Sequence, residues 1–185
     1  MTTPDHTQVL FIQGGGAGAH DEWDAQLVDS LAGELGDRYE VRYPRLPTEE
    51  NPSYATWGPA IAREMAAMND GAVLVGHSVG GAVLINVLAE TLPDWRPGAI
   101  VLLAAPFVGP GGWPSDEFEL PNDLGMRLPC GMPVYVFHGM ADRTVPPSHA
   151  DLYARAIHQA CVHRLSGRDH QLNQDLSDIA NSIQQ

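Results

Sequence analysis

Six short apolar runs, "TQVLFIQ", "YEVRYP", "GAVLVGH", "GAIVLLA", "PVYVFHG" and "CVHRLS", alternate along the chain with longer segments whose apolar residues recur at helical spacing. No other feature narrows the fold as much. A run as continuously apolar as Ala72 to Val75 must be covered on both faces, the environment of a strand inside a parallel sheet. Parallel neighbours need long crossovers. The segments "EWDAQLVDSLAGEL", "YATWGPAIAREMAAM", "GGAVLINVLAETL" and "HADLYARAIHQA" have the length and apolar stripe for that, with "LNQDLSDIANSIQQ" as a terminal helix. Right-handed crossovers distribute helices over both faces. The expected fold is α/β, a three-layer α/β/α sandwich around a mainly parallel six-stranded sheet. With 185 residues, 44% of them hydrophobic, and no shift in composition, residues 1–185 read as one domain.

Residues 106–133, "PFVGPGGWPSDEFELPNDLGMRLPCGMP", interrupt the alternation and carry too much proline and glycine for a regular element throughout. A loop of that length in a compact domain reads as a short lid or binding loop, with a surface excursion as the alternative.

The third run meets the third helical segment in "GHSVG", Gly76 to Gly80, which matches G-x-S-x-G at a strand-to-helix junction. A strand that turns into a helix within so few residues brings its flanks together, and glycines relieve the crowding. Ser78 then stands at the tip above the sheet, where the N–H groups of the helix beginning at Val79 face any oxyanion forming there. The bland alternative is a serine that caps the helix.

A serine hydroxyl needs a base, and the base needs an orienting group. Groups that act together in a parallel α/β sheet gather beyond the C-terminal strand ends. Asp142 follows "PVYVFHG" and His170 follows "CVHRLSG", so the chain order is Ser78, Asp142, His170, with His170 as general base. Asp169 is the rival carboxylate, but as the neighbour of His170 it reads better as a loop or surface charge. The loop after the first strand, "QGGGAGAH", offers backbone donors near Gly14 and Gly15. Gly15 and Val79 are the expected oxyanion-hole donors.

That glycine-rich loop also raises nucleotide binding. It lacks the lysine of a P-loop and does not complete G-x-G-x-x-G, so no nucleotide and no other cofactor is expected. No H-E-x-x-H or clustered Cys/His spacing suggests a metal. His77 reads either as a pocket-lining residue or as a packed, hydrogen-bonded one. His138 reads as structural, His20 as near the pocket mouth, and His6, His149, His158 and His163 as surface or helix positions. Cys130 and Cys161 form no disulfide framework and read as reduced structural thiols. A net charge of -13 argues against nucleic acid or an anionic membrane surface as partner. "MTTPDHTQVLFIQ" has no basic n-region and only a short apolar run, so a cytoplasmic location is expected.

The loop Gly14 to Gly16, the elbow Gly76 to Gly80, "HGMADRTVP" around Asp142 and "RDH" ending at His170 together resemble the α/β-hydrolase superfamily. Within it, the chain is similar to the small, nearly capless serine hydrolases of the retinoblastoma-binding-protein and YdeN types. The resemblance spans nearly the whole chain. It implies a central strand carrying Ser78 and esterase-like activity on a small-molecule acyl substrate, with the first two strands of larger members missing. Gln13 stands where many members have histidine. Thioester cleavage, amide cleavage or acyl transfer would use the same three residues, and a binding protein with vestigial catalysis is the reading from another class. Gly14, His77 and Trp113 are candidate substrate contacts. Trp113, Phe107 and Phe118 read either as an apolar wall for the substrate or as loop anchors. Oligomeric state is not legible.

Overall fold

A computed structural model describes residues 6–185. The first five residues, part of the N-terminal stretch considered above for a leader, lie outside the described residues. Six strands, β1 (Thr7–Ile12), β2 (Tyr39–Arg42), β3 (Val73–His77), β4 (Ala99–Leu103), β5 (Val134–Gly139) and β6 (Ala160–Leu165), form one sheet in the order β2-β1-β3-β4-β5-β6. Every neighbouring pair is parallel. The helices are α1 (Asp24–Leu35), α2 (Tyr54–Ala66), α3 (Ser78–Glu90), the single turn α4 (Leu124–Arg127), α5 (Ser148–Ala156) and α6 (Ser177–Ile183).

Side-chain alternation along the strands divides the core into two layers. Leu10, Ile12, Leu74, Ile100, Leu102 and Val136 face α2, α3 and α5, where Trp57, Leu84 and Tyr153 are fully buried. Val9, Phe11, Val73, Val75, Val101 and Phe137 face α1 and α6, against Leu27, Leu31 and Ile179. The central β3 and β4 are buried at every residue, as their unbroken apolar sequences require. The edge strands β2 and β6 are only half-buried. This half-burial corrects one expectation. Cys161 lies on the open edge strand and Cys130 in the turn before β5, so both thiols are exposed and neither is part of the core.

After β2 the chain returns past β1 to start β3, and this reversal places the C-terminal ends of β1 and β3 side by side. A cleft opens at such a point in a parallel sheet. The helix expected from Glu22 begins two residues later, because left-handed Gly18 (φ 77°) leads into a wide π-helical turn, Ala19–Trp23. Residues 106–133 wrap back onto the molecule, with Phe107, Leu120, Leu124, Leu128 and Met132 buried in the larger core layer. Among the described residues, no helix is long and apolar enough to cross a membrane.

Candidate active site

At the junction of β3 and α3, Ser78 adopts φ 51°, a left-handed conformation unusual for a residue with a side chain. Close packing around the turn holds it there. A Cβ on Gly80 would lie 1.9 Å from the carbonyl oxygen of Gln13, and one on Gly76 would lie 2.5 Å from the Gly81 Cα. Both clashes involve backbone, so the glycines let α3 start directly against the end of β1.

The turn aims Ser78 at the loop following β6. The Ser78 Oγ lies 3.0 Å from the His170 Nε2, and the His170 Nδ1 lies 2.8 Å from the Asp142 Oδ2. The other oxygen of Asp142 accepts from the N–H groups of Thr144 (2.8 Å) and Val145 (2.9 Å), which fixes the carboxylate in the turn after β5. His138 Nε2 stands 3.3 Å from the Asp142 Oδ2 and bonds the Val145 carbonyl at 2.9 Å. Burial pushes the Asp142 carboxyl up, but hydrogen bonds from His138, His170 and the Val145 N–H outweigh it and hold the group below the usual carboxylate range. Asp169 turns away from His170 and accepts from the Asn173 N–H. The histidine loop is pinned from below by Arg168, whose guanidinium reaches the Leu172 and Asp175 carbonyls and the Asp175 carboxylate.

The alpha/beta hydrolase family model matches residues 9–182. The chain belongs to the alpha/beta hydrolase family. Solved structures of this fold superpose over nearly its full length. A serine hydrolase involved in carbazole degradation has a TM-score of 0.71 at 17% identity, over 98% of this chain and 91% of the other. The ydeN gene product of B. subtilis gives 0.70 at 19% identity, covering 96% of this chain and 98% of the other. The monoacylglycerol lipase of Paleococcus ferrophilus gives 0.69 at 16%, covering 99% and 96%. No curated protein sequence matches the chain.

In this alpha/beta hydrolase the loop after β1 packs directly on the elbow. A Cβ on Gly14 would lie 3.2 Å from the Ser78 Cβ, and one on Gly15 would lie 3.0 Å from the Val79 side chain and 2.7 Å from Pro52. The Gly14 N–H donates to the Asp24 carboxylate at 2.6 Å. Among the described residues, no acceptor engages the N–H of Gly15 or of Val79 in the first turn of α3. Gln13 is fully buried and ties this loop to the one after β2, accepting from the Leu46 N–H and donating to Glu49.

Beside the elbow, a cavity of about 160 Å³ is lined by Tyr54, Val79, Val83, Pro106, Trp113 and Phe118, together with Glu117 at its rim. Trp113 therefore reaches the candidate substrate space. Phe107 instead packs in the core, edge-on to Tyr153. Larger clefts lie elsewhere, among them one beside Trp95 and one beside Cys130 at the opposite strand ends, and these contain none of the Ser78, His170 or Asp142 groups.

His77 faces away from the cavity and is 1% exposed. Its Nδ1 lies 2.9 Å from the Asp24 Oδ2, and Asp24 is equally buried. Its Nε2 lies 3.1 Å from the backbone carbonyl of His170. Burial opposes charge on both groups. Mutual attraction and hydrogen bonding outweigh it, raising His77 above its ordinary range and lowering Asp24 below its own. Sequence reasoning overlooked Asp24, because an acid in the first turn of a helix reads as an ordinary complement to the helix dipole. His149, expected as a surface or helix position, is helical but buried, and its Nδ1 accepts the Phe107 N–H at 2.8 Å. His20 stacks on Tyr43 at a 4.2 Å ring separation.

Proposed function

We propose that this protein is a serine hydrolase that cleaves carboxylic esters of small molecules through an acyl-enzyme intermediate. The observation that carries the reading is the unbroken chain of contacts from the Ser78 Oγ through the His170 imidazole to Asp142, at 3.0 and 2.8 Å. The Ser78 oxygen attacks the ester carbonyl carbon while the His170 Nε2 takes its proton. Asp142, held ionised, fixes the tautomer with the proton on Nδ1 and stabilises the imidazolium. The N–H groups of Gly15 and Val79 hold the oxyanion of the tetrahedral intermediate. As that intermediate collapses, the bond to the alcohol breaks and His170 protonates the leaving oxygen. Water then repeats the sequence on the acyl-serine, releasing the acid and restoring Ser78.

The apolar cavity beside Val79 suits a compact acyl or aryl group, and residues 106–133 act as the binding loop that carries Trp113 and Phe118 to it. A phosphonate probe applied to the native protein and to Ser78→Ala tests the nucleophile. Labelling of the native protein alone is expected, and no labelling or equal labelling of both would overturn it. p-Nitrophenyl esters from acetate to palmitate, with a matched thioester and anilide, test the bond class. Faster turnover of short esters than of long esters, thioester or anilide is expected. Preference for the thioester or anilide would reassign the bond.

A further inference from the structure

The His77 ring has an acceptor at each nitrogen. The Asp24 carboxylate at Nδ1 also accepts the Gly14 N–H, and the His170 carbonyl at Nε2 has no proton to give. A neutral imidazole carries one N–H and could satisfy only one of them while Asp24 is ionised. The ring that fits both is the imidazolium, paired with the Asp24 carboxylate. The ionisable groups facing it are Asp24 from α1, His170 from the loop after β6 and, at longer range, Asp142 from the turn after β5.

This pair joins two segments that are far apart in sequence. Through the Gly14 N–H it holds the loop that presents Gly15, and through the carbonyl of His170 it holds the backbone of the residue that contacts Ser78. We propose that Asp24 and His77 form a buried ion pair of positioning residues, clamping the oxyanion-donor loop and the general-base loop in register with each other. The proposal rests on the hydrolase reading above. Neither residue touches the substrate space, so the clamp acts on the geometry of the transition state and leaves ground-state binding nearly unchanged. Both segments are loops, whose positions the strands alone do not determine.

The test compares native protein, Asp24→Asn and His77→Gln on p-nitrophenyl butyrate, with each rate divided by the sites that a phosphonate titrates. The asparagine retains an acceptor for Gly14 but removes the charge that keeps the second proton on His77. The kcat per titrated site is expected to fall about 10- to 100-fold in both variants, with KM changing less than about twofold. Unchanged kcat per site in both, with only a lower melting temperature, would overturn the clamp. Ring 15N spectra of the full-length native chain at pH 7 provide a second readout that needs no variant to fold. Both His77 nitrogens should be protonated, and a bare nitrogen would also overturn the proposal. Failure of the hydrolase reading looks different, because the native protein would then take up no phosphonate whatever the His77 spectrum shows.

Discussion

Two histidine–carboxylate pairs lie within one small volume, with their imidazole rings 5.0 Å apart. Asp142–His170 and Asp24–His77 have nearly the same Nδ1 to oxygen separation, 2.8 and 2.9 Å. They differ at the far nitrogen. His170 meets a hydroxyl, which can donate to its Nε2. His77 meets a carbonyl, which can only accept, so its ring is held as a donor on both sides. Exposure differs in the same sense, with the His170 side chain 17% accessible and His77 1%. On the proposed reading the same two residue types make a proton shuttle in one place and a fixed brace in the other, and the partner at the second nitrogen decides which.

The largest effects are expected where the proton shuttle is cut. Ser78→Ala should lower kcat by about 10⁶, to the level left by binding and backbone donors, measured on an activated ester. Asp142→Asn should cost about 10⁴, because the amide no longer holds His170 in the tautomer that accepts a proton from Ser78. An Asp142→Asn rate close to that of Asp24→Asn would erase the distinction between the two pairs. A loss of about 10² is expected for Gly15→Ala, whose Cβ would press on the Pro52 ring and the Val79 side chain and displace the proposed donor N–H. Its kcat should fall with little change in KM in steady-state assays.

These contrasts were unequally legible in the sequence. The parallel sheet covered on both faces is legible in runs such as "AVLVG", because a strand buried on both faces has no place for polar side chains, whereas nothing in those runs sets the order of the strands. Ser78, Asp142 and His170 could be placed together because strand ends in a parallel sheet converge on one edge. Asp24 could not, since Asp21 and Glu22 beside it are the same type of residue in the same stretch, and only the turn after Gly18 directs one of the three inward. From sequence His77 reads equally as pocket-lining or packed, and its buried Asp24 partner decides for the second. Cys161 misleads because an edge strand carries an apolar pattern on a surface that is half open, and Cys130 because it sits in the exposed turn just before an apolar strand.

A smaller effect is expected at the cavity wall. Trp113 lines the cavity and lies edge-on to His149 at a 5.9 Å ring separation, and removing its indole opens the space without touching the proton path. Trp113→Ala should shift the ester chain-length profile, lowering kcat/KM for the preferred short ester about tenfold and improving the relative rate for longer ones. An unchanged profile would return Trp113 to the role of a loop anchor.

The smallest effect lies in stability, where Asp142 and His77 should respond to pH in opposite directions. The Asp142 carboxyl is lowered in the folded protein, so its contribution is complete above the ordinary carboxylate range and is lost as pH falls through the folded value. The His77 ring is raised, so its contribution is complete below the ordinary histidine range and is lost as pH rises through the folded value. Urea unfolding of the native chain should therefore show stability declining toward both acid and alkali. Asp142→Asn should make the acid decline shallower without abolishing it, because Asp24 is also lowered and titrates in the same direction. His77→Gln should flatten the alkaline decline from neutral pH upward and leave the Asp142 contribution in place. If the alkaline decline survived that substitution unchanged, His77 would not carry the second proton in the native fold, and the contrast between shuttle and brace would fail at its chemical basis.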